Sequence, residues 1–124
     1  MTVPQTWHPR SVSTAPGTTW LTVPDLVELL GISQSRVRRL FDERILLAVR
    51  VDGVLKVPAD FIRDGEPLGE LRGTVIVLHD AGFSDEEAVT WMLADNEVLG
   101  SAPIDALRAG RKAEVRRVAQ ALGF

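Results

Sequence analysis

The 124-residue sequence predicts a mainly α-helical chain with one small β-hairpin: two short helices, the hairpin, then a second helical region. Three observations predict it. Leu26, Leu29 and Leu30, then Val37, Leu40 and Phe41, repeat at the i, i+3, i+4 spacing of one-faced helices. Asp52-Gly53 separates two apolar runs, the pattern of a hairpin closed by a two-residue turn. Beyond residue 74 the helical period returns and no further hairpin signal interrupts it.

Residues 1–19 hold Pro4, Pro9 and Pro16 among Ser and Thr with no apolar period, which predicts a disordered arm. Residues 20–63 form the first folded unit. Thr22 and Asp25 make a capping box, Pro24 fits the first turn, and Gly31 ends the helix as a left-handed cap. Ser33 then caps a second helix. Two amphipathic helices joined by a glycine turn are a helix-turn-helix. The runs Ile45–Val51 and Val54–Val57 form the hairpin, with Arg50 opposite Leu55 and Val49 opposite Lys56, so neither face is cleanly polar. A hairpin directly after a helix-turn-helix is a wing.

Residues 64–124 read as a C-terminal helical domain. Gly65, Pro67, Gly69 and Gly73 mark a connector, followed by a helix over Thr74–Asp80 that stops at Ala81-Gly82. Ser84 with Glu87 opens a helix carrying Ala88, Trp91 and Met92, which Asn96 and Gly100 break. Pro103 starts a short helix ended by Gly110, and Val115, Val118, Ala119 and Leu122 line the inner face of the last one. Trp91, Ile104, Leu107, Val115 and Leu122 are expected to form a small core. The fold class is therefore mainly α with a small β-hairpin wing: a winged helix-turn-helix followed by a C-terminal helical domain.

Composition narrows the chemistry. Without cysteine there are no disulfides or thiolate metal sites, and His8 and His79 are too few for a histidine cage, so no metal, cofactor or catalytic residue is expected. His79-Asp80 and the Asp85-Glu86-Glu87 run lie at helix ends, where a helix dipole accounts for them without catalysis. There is no signal-peptide pattern, and no apolar run approaches the roughly 20 residues of a membrane span, so a cytoplasmic protein is expected.

On a helical wheel with Val37, Leu40 and Phe41 inward, Ser35 and Arg39 point outward and Arg36 and Arg38 flank them. A recognition helix in a major groove requires this: an anchored apolar side, and outer residues that reach base edges and phosphates. Gln34, Ser35, Arg38 and Arg39 are the expected base readers, Arg36 a phosphate contact, and Arg50 and Lys56 contacts from the wing to backbone or minor groove. Net charge is −3, yet residues 33–63 carry seven basic and four acidic side chains, while 80–107 carry seven acidic and no basic ones. The competing view is that Arg38–Asp42 and Arg39–Glu43, at i,i+4, neutralise each other as an ordinary solvated surface.

The segments Thr22–Leu26, Leu29–Gly31, Ser35–Leu40 and the wing through Val57-Pro58 resemble small winged helix-turn-helix regulators of the excisionase and MerR-like kind. Over about residues 20–124 the whole chain, with its Thr74–Gly82 helix, Trp91 and the Pro103–Leu107 segment, resembles an actinobacterial family of short DNA-binding proteins. That resemblance implies double-stranded DNA as partner, through a helix at Ser33–Arg44, and a transcriptional role. The C-terminal half alone, from Ala88–Met92 through Asn96, Leu99-Gly100, Ser101–Asp105, Gly110 and Val115, is similar to the toxin-binding domain of Xre/MbcA/ParS-type antitoxins. It implies an alternative, a protein-interaction module of adaptor type. Because one recognition helix and one wing make few contacts, a homodimer or protein partner through residues 64–124 is expected. No small-molecule substrate is indicated.

Overall fold

The computed structural model describes residues 18–122, so the expected arm lies almost wholly outside the described residues. In chain order the elements are β1 (Trp20–Thr22), α1 (Val23–Leu30), α2 (Gln34–Asp42), β2 (Val49–Val51), β3 (Val54–Pro58), a 3-10 turn (Ala59–Phe61), β4 (Ile62–Arg63), β5 (Glu66–Pro67), α3 (Leu71–Asp80), α4 (Asp85–Leu93), α5 (Pro103–Arg108) and α6 (Lys112–Gln120). The fold is the expected one, a winged helix-turn-helix continued by a helical region.

Local signals act as expected in the first half. The Thr22 hydroxyl accepts the Asp25 amide at 3.3 Å, and the Asp25 carboxylate accepts the Thr22 amide at 2.9 Å. Gly31 takes φ 67° and its amide donates to the Val27 carbonyl, closing α1. Ser33 caps α2 by accepting the Arg36 amide at 3.2 Å. At the wing, Asp52 (φ 54°) and Gly53 (φ 80°) are both left-handed, as a type I′ turn requires, and the pairing Arg50↔Leu55 and Val49↔Lys56 is the expected register.

Three features depart from expectation. First, the hairpin supplies the central strand and one edge of a three-stranded antiparallel sheet, ordered β1-β3-β2. Trp20, Leu21 and Thr22 pair with Pro58, Val57 and Lys56, and the Thr19 carbonyl accepts the Ala59 amide at 2.8 Å. This covers the outer edge of β3, and Thr22 serves both as the last strand residue and as the cap of α1. Second, Ile45–Ala48 is not strand. The Leu40 carbonyl accepts both the Ile45 and Leu46 amides, curling the chain around the end of α2, and the consecutive Leu46 and Leu47 are both buried where a strand would alternate. Third, the connector is ordered: β4 and β5 pair across Asp64-Gly65, and α3 begins at Leu71 with Gly73 inside it. A side-chain carbon at Gly73 would meet the far end of the Arg116 side chain, which lies over α3 from α6 and would have to move aside.

One buried cluster runs through both halves. Leu26, Val37, Leu46 and Val57 from the first join Leu71, Leu78, Met92, Leu107 and Val115 from the second, with Phe61 at the junction. Ile104 is buried in the same cluster, whereas Trp91 and Leu122 are only partly buried against it. α3 packs on α4 and α6, α5 on α4, α6 and the 3-10 turn, and α4 reaches back to β2. No helix among the described residues is long and apolar enough to cross a membrane.

Candidate nucleic-acid interface

The candidate interface is the outer face of α2. Val37 is buried and Leu40 and Phe41 are partly buried, which seats the helix against α1 and the core. Gln34, Ser35, Arg36, Arg38 and Arg39 are all exposed. Ser33 Oγ and Ser35 Oγ lie 3.2 Å apart, so both hydroxyls gather at the N-terminal end of the helix. The structure brings these five residues together on one short surface.

The arginines on that surface have no acidic partner. Among the described residues the ion pairs are Arg44–Asp85, His79–Asp85 and Arg111–Glu114. Arg38–Asp42 and Arg39–Glu43 do not close to ion-pair distance, so the self-neutralising arrangement is not formed. Arg36, Arg38 and Arg39 therefore present unpaired guanidiniums.

The wing residues are placed differently from each other. Arg50 is exposed beside the turn, and its Nη1 donates to the Gly53 carbonyl at 3.2 Å, folding the guanidinium over the tip. Lys56 stands in the central strand between Thr22 and Val49 and is half-buried. Its charge lies near Asp25, whose carboxyl is held below the ordinary value chiefly by the Thr22 amide, then by the Thr22 hydroxyl, with a small contribution from Lys56. Lys56 thus belongs to the start of α1 more than to the wing tip.

Arg44 belongs to the basic segment by its place in the sequence, yet the structure directs it elsewhere. It takes φ 60°, leaves the end of α2, and donates from Nη1 to Asp85 Oδ2 at 3.0 Å, fastening α2 to the first turn of α4. His79 Nε2 sits 3.0 Å from the other Asp85 oxygen but is not aligned for a hydrogen bond. Arg44 and Asp85 stand 41 positions apart, so no local spacing in the sequence could pair them. Between the wing and this corner runs an open cleft of about 580 Å³, lined by Arg44, Arg50, His79, Asp85 and Glu86 among others. Arg50 thus shares a cleft with two carboxylates, and Arg38 of α2 lines a neighbouring recess with Asp42 and Asp85. No cluster of His, Asp or Glu suited to a metal ion occurs among the described residues.

The chain matches two family models in succession: one described as DNA-binding protein Rv2175c, winged helix-turn-helix domain, over residues 13–62, and one described as Rv2175c C-terminal domain of unknown function, over 68–123. It is 32% identical to DNA-binding protein Rv2175c of Mycobacterium tuberculosis over 115 residues, covering 82% of this chain and 79% of that protein. An excisionase of Streptomyces ambofaciens is 38% identical over 52 residues, 40% of this chain and 84% of the excisionase. The NMR structure of Rv2175c superposes with a TM-score of 0.80 at 31% identity, covering 88% of this chain and 84% of that one.

Proposed function

The chain belongs to the Rv2175c winged helix-turn-helix family, and on that premise we propose that it is a sequence-specific double-stranded DNA-binding protein, a transcriptional regulator that lays α2 in the major groove. The observation that carries this is the exposed set Gln34, Ser35, Arg36, Arg38 and Arg39, seated on a buried apolar side and free of ion pairs. Arginine pairs bidentately with guanine, glutamine with adenine, and hydroxyls hold phosphate or either base. Gln34 and Ser35, at the N-terminal end, and Arg38 and Arg39 read bases, and Arg36 holds backbone. Arg50 touches backbone or minor groove from the wing, with less effect because Asp85 and Glu86 share its cleft. Lys56 contributes least, being half-buried. Acting on duplex DNA, the protein works at the nucleoid in the cytoplasm, as a binding protein and not an enzyme.

The test is an Arg38→Ala/Arg39→Ala double variant, titrated with genomic and random duplexes across a salt series. Removing two guanidiniums that face the duplex weakens binding and relaxes preference among duplexes, and flattens the salt slope by up to about 0.9 for each phosphate no longer neutralised. Wild-type protein that shows no salt-sensitive binding at low ionic strength overturns the reading. A second reading, a protein-interaction module acting through residues 64–124, draws on an apolar recess of about 320 Å³ around Trp91, Phe83, Thr90 and Ala94. Self-association or partner capture that Trp91→Ala abolishes, in a protein indifferent to DNA, would establish it instead.

A further inference from the structure

We propose that α6, with Arg72 from the start of α3, forms a second phosphate-contacting surface for DNA, distinct from α2; this rests on the DNA-binding reading above. The C-terminal half is not uniformly acidic. Residues 64–107 carry ten acidic side chains and one basic, Arg72, whereas 108–124 carry five basic and one acidic.

The five basic residues divide by what they touch. Arg108 Nη1 donates to the Asp60 and Ile62 carbonyls at 2.8 and 2.9 Å, tying α5 to the winged half. Arg111 donates to both Glu114 oxygens, at 2.8 and 3.1 Å, and to the Leu99 carbonyl at 2.9 Å. These two are fasteners. Lys112, Arg116 and Arg117 are exposed, and among the described residues their side chains have neither hydrogen bond nor ion pair. The one carboxylate on α6, Glu114, is held below the usual carboxylate range chiefly by its hydrogen bond from Arg111, with a smaller contribution from the nearby Arg117 charge.

Lys112 and Arg116 stand at i,i+4, one above the other and about 6 Å apart along the axis. Arg116 reaches across to α3, where its guanidinium lies against Gly73, immediately beside the exposed Arg72. Two helices thus contribute cations to one seam, with Arg117 on its flank. Like charges at this spacing repel each other in the free protein. A partner with repeating negative charge removes that repulsion along the whole seam, which a single small anion does not. Eight of the ten acidic residues lie off α3 and α6, while Glu70 caps α3 two positions before Arg72 and Asp80 ends it; at physiological salt, with a screening length of about 8 Å, acidic groups weigh little on cations more than a helix diameter away. Phosphate contacts of this kind add affinity without sequence information.

The experiment uses the full chain and a Lys112→Gln/Arg116→Gln/Arg117→Gln variant, with thermal melts to verify folding. Duplex binding is followed by fluorescence anisotropy from about 50 to 200 mM salt, the range over which phosphate contacts show. The expected result is a slope shallower by about 0.9 for each phosphate left unneutralised, nearly three in all, with the ratio of preferred to random duplex unchanged. A Lys112→Arg/Arg116→Lys/Arg117→Lys variant keeps the wild-type slope. A triple-Gln variant that binds with the wild-type slope overturns this inference alone, and a loss of self-association in that variant would assign the surface to a second copy. Wild-type protein without salt-sensitive binding overturns this inference and the reading of α2 together.

Discussion

Phe61 is the largest fully buried side chain among the described residues and stands where the winged half meets the helical half. Its 3-10 turn packs against α5, and its carbonyl accepts the Leu68 amide at 2.8 Å, so it touches both sides of the boundary near residue 64. Phe61→Ala deletes the ring at full burial and leaves a cavity neither half can close alone, a loss of about 3–5 kcal/mol. An unfolding entropy of about 2.1 cal/mol/K per residue over the chain gives about 0.26 kcal/mol/K, so the melting temperature falls by about 12–19 °C. The assay is thermal denaturation by far-UV circular dichroism, with amide NMR signals of α2 and α6 followed through the transition. Both sets of signals move with the same lowered midpoint, because one buried cluster spans the two halves. A fall of less than about 4 °C, well below the cavity cost, would refute the reasoning; so would α6 signals that keep the wild-type midpoint while those of α2 melt early.

Two further outcomes test local chemistry. Thr74 is completely buried and its hydroxyl has no hydrogen-bond partner among the described residues, so Thr74→Val, which keeps the shape and removes the unsatisfied group, raises stability by about 1–3 kcal/mol in urea titrations. The Asp25 carboxyl is held below its ordinary value by the Thr22 amide and hydroxyl, so its contribution is present above about pH 4 and is lost as pH falls through the folded-state value. Asp25→Asn therefore flattens the acid limb of a stability–pH curve and leaves the neutral limb's slope alone, as chemical denaturation at stepped pH would show.

The helix-turn-helix was legible because its signals are local. A cap hydroxyl three residues before its amide, a left-handed glycine, and apolar residues three and four apart are all satisfied within one turn of chain. The wing register was equally local, set by Asp52-Gly53. What escaped depends on partners distant in sequence. Trp20–Thr22 is too short to show a period of two and becomes a strand only because β3 offers an edge. Gly73 reads as a breaker until Arg116 is seen lying over it, 43 positions away. Arg44 counts as part of a basic segment until Asp85 takes it. The five α2 residues of the candidate interface fall together as the helical period predicts, while Lys56 does not join Arg50 at the wing tip, because strand pairing seats it beside α1.

Fourteen basic and seventeen acidic side chains say little about a polyanionic partner until each arginine's surroundings are known. Arg44, Arg108 and Arg111 are held by a carboxylate or by carbonyls, and Arg63 donates to the Arg108 carbonyl, so these four act mainly to join elements. Arg36, Arg38 and Arg39 on α2, and Arg72, Arg116 and Arg117 at the α3–α6 seam, carry no such bonds among the described residues. The acidic side chains concentrate instead around α4, where Asp85 and Glu86 close one wall of the cleft beside the wing. At physiological salt the screening length of about 8 Å confines their repulsion to their immediate surroundings, the wing and the part of α2 where Arg38 shares a recess with Asp85. As salt is lowered that length grows to about 30 Å at 0.01 M, and the acidic helix then opposes the same duplex that α2 attracts. Affinity for random DNA should accordingly rise less steeply on dilution than the number of free guanidiniums alone requires, which favours discrimination between sequences over indiscriminate coating of the duplex.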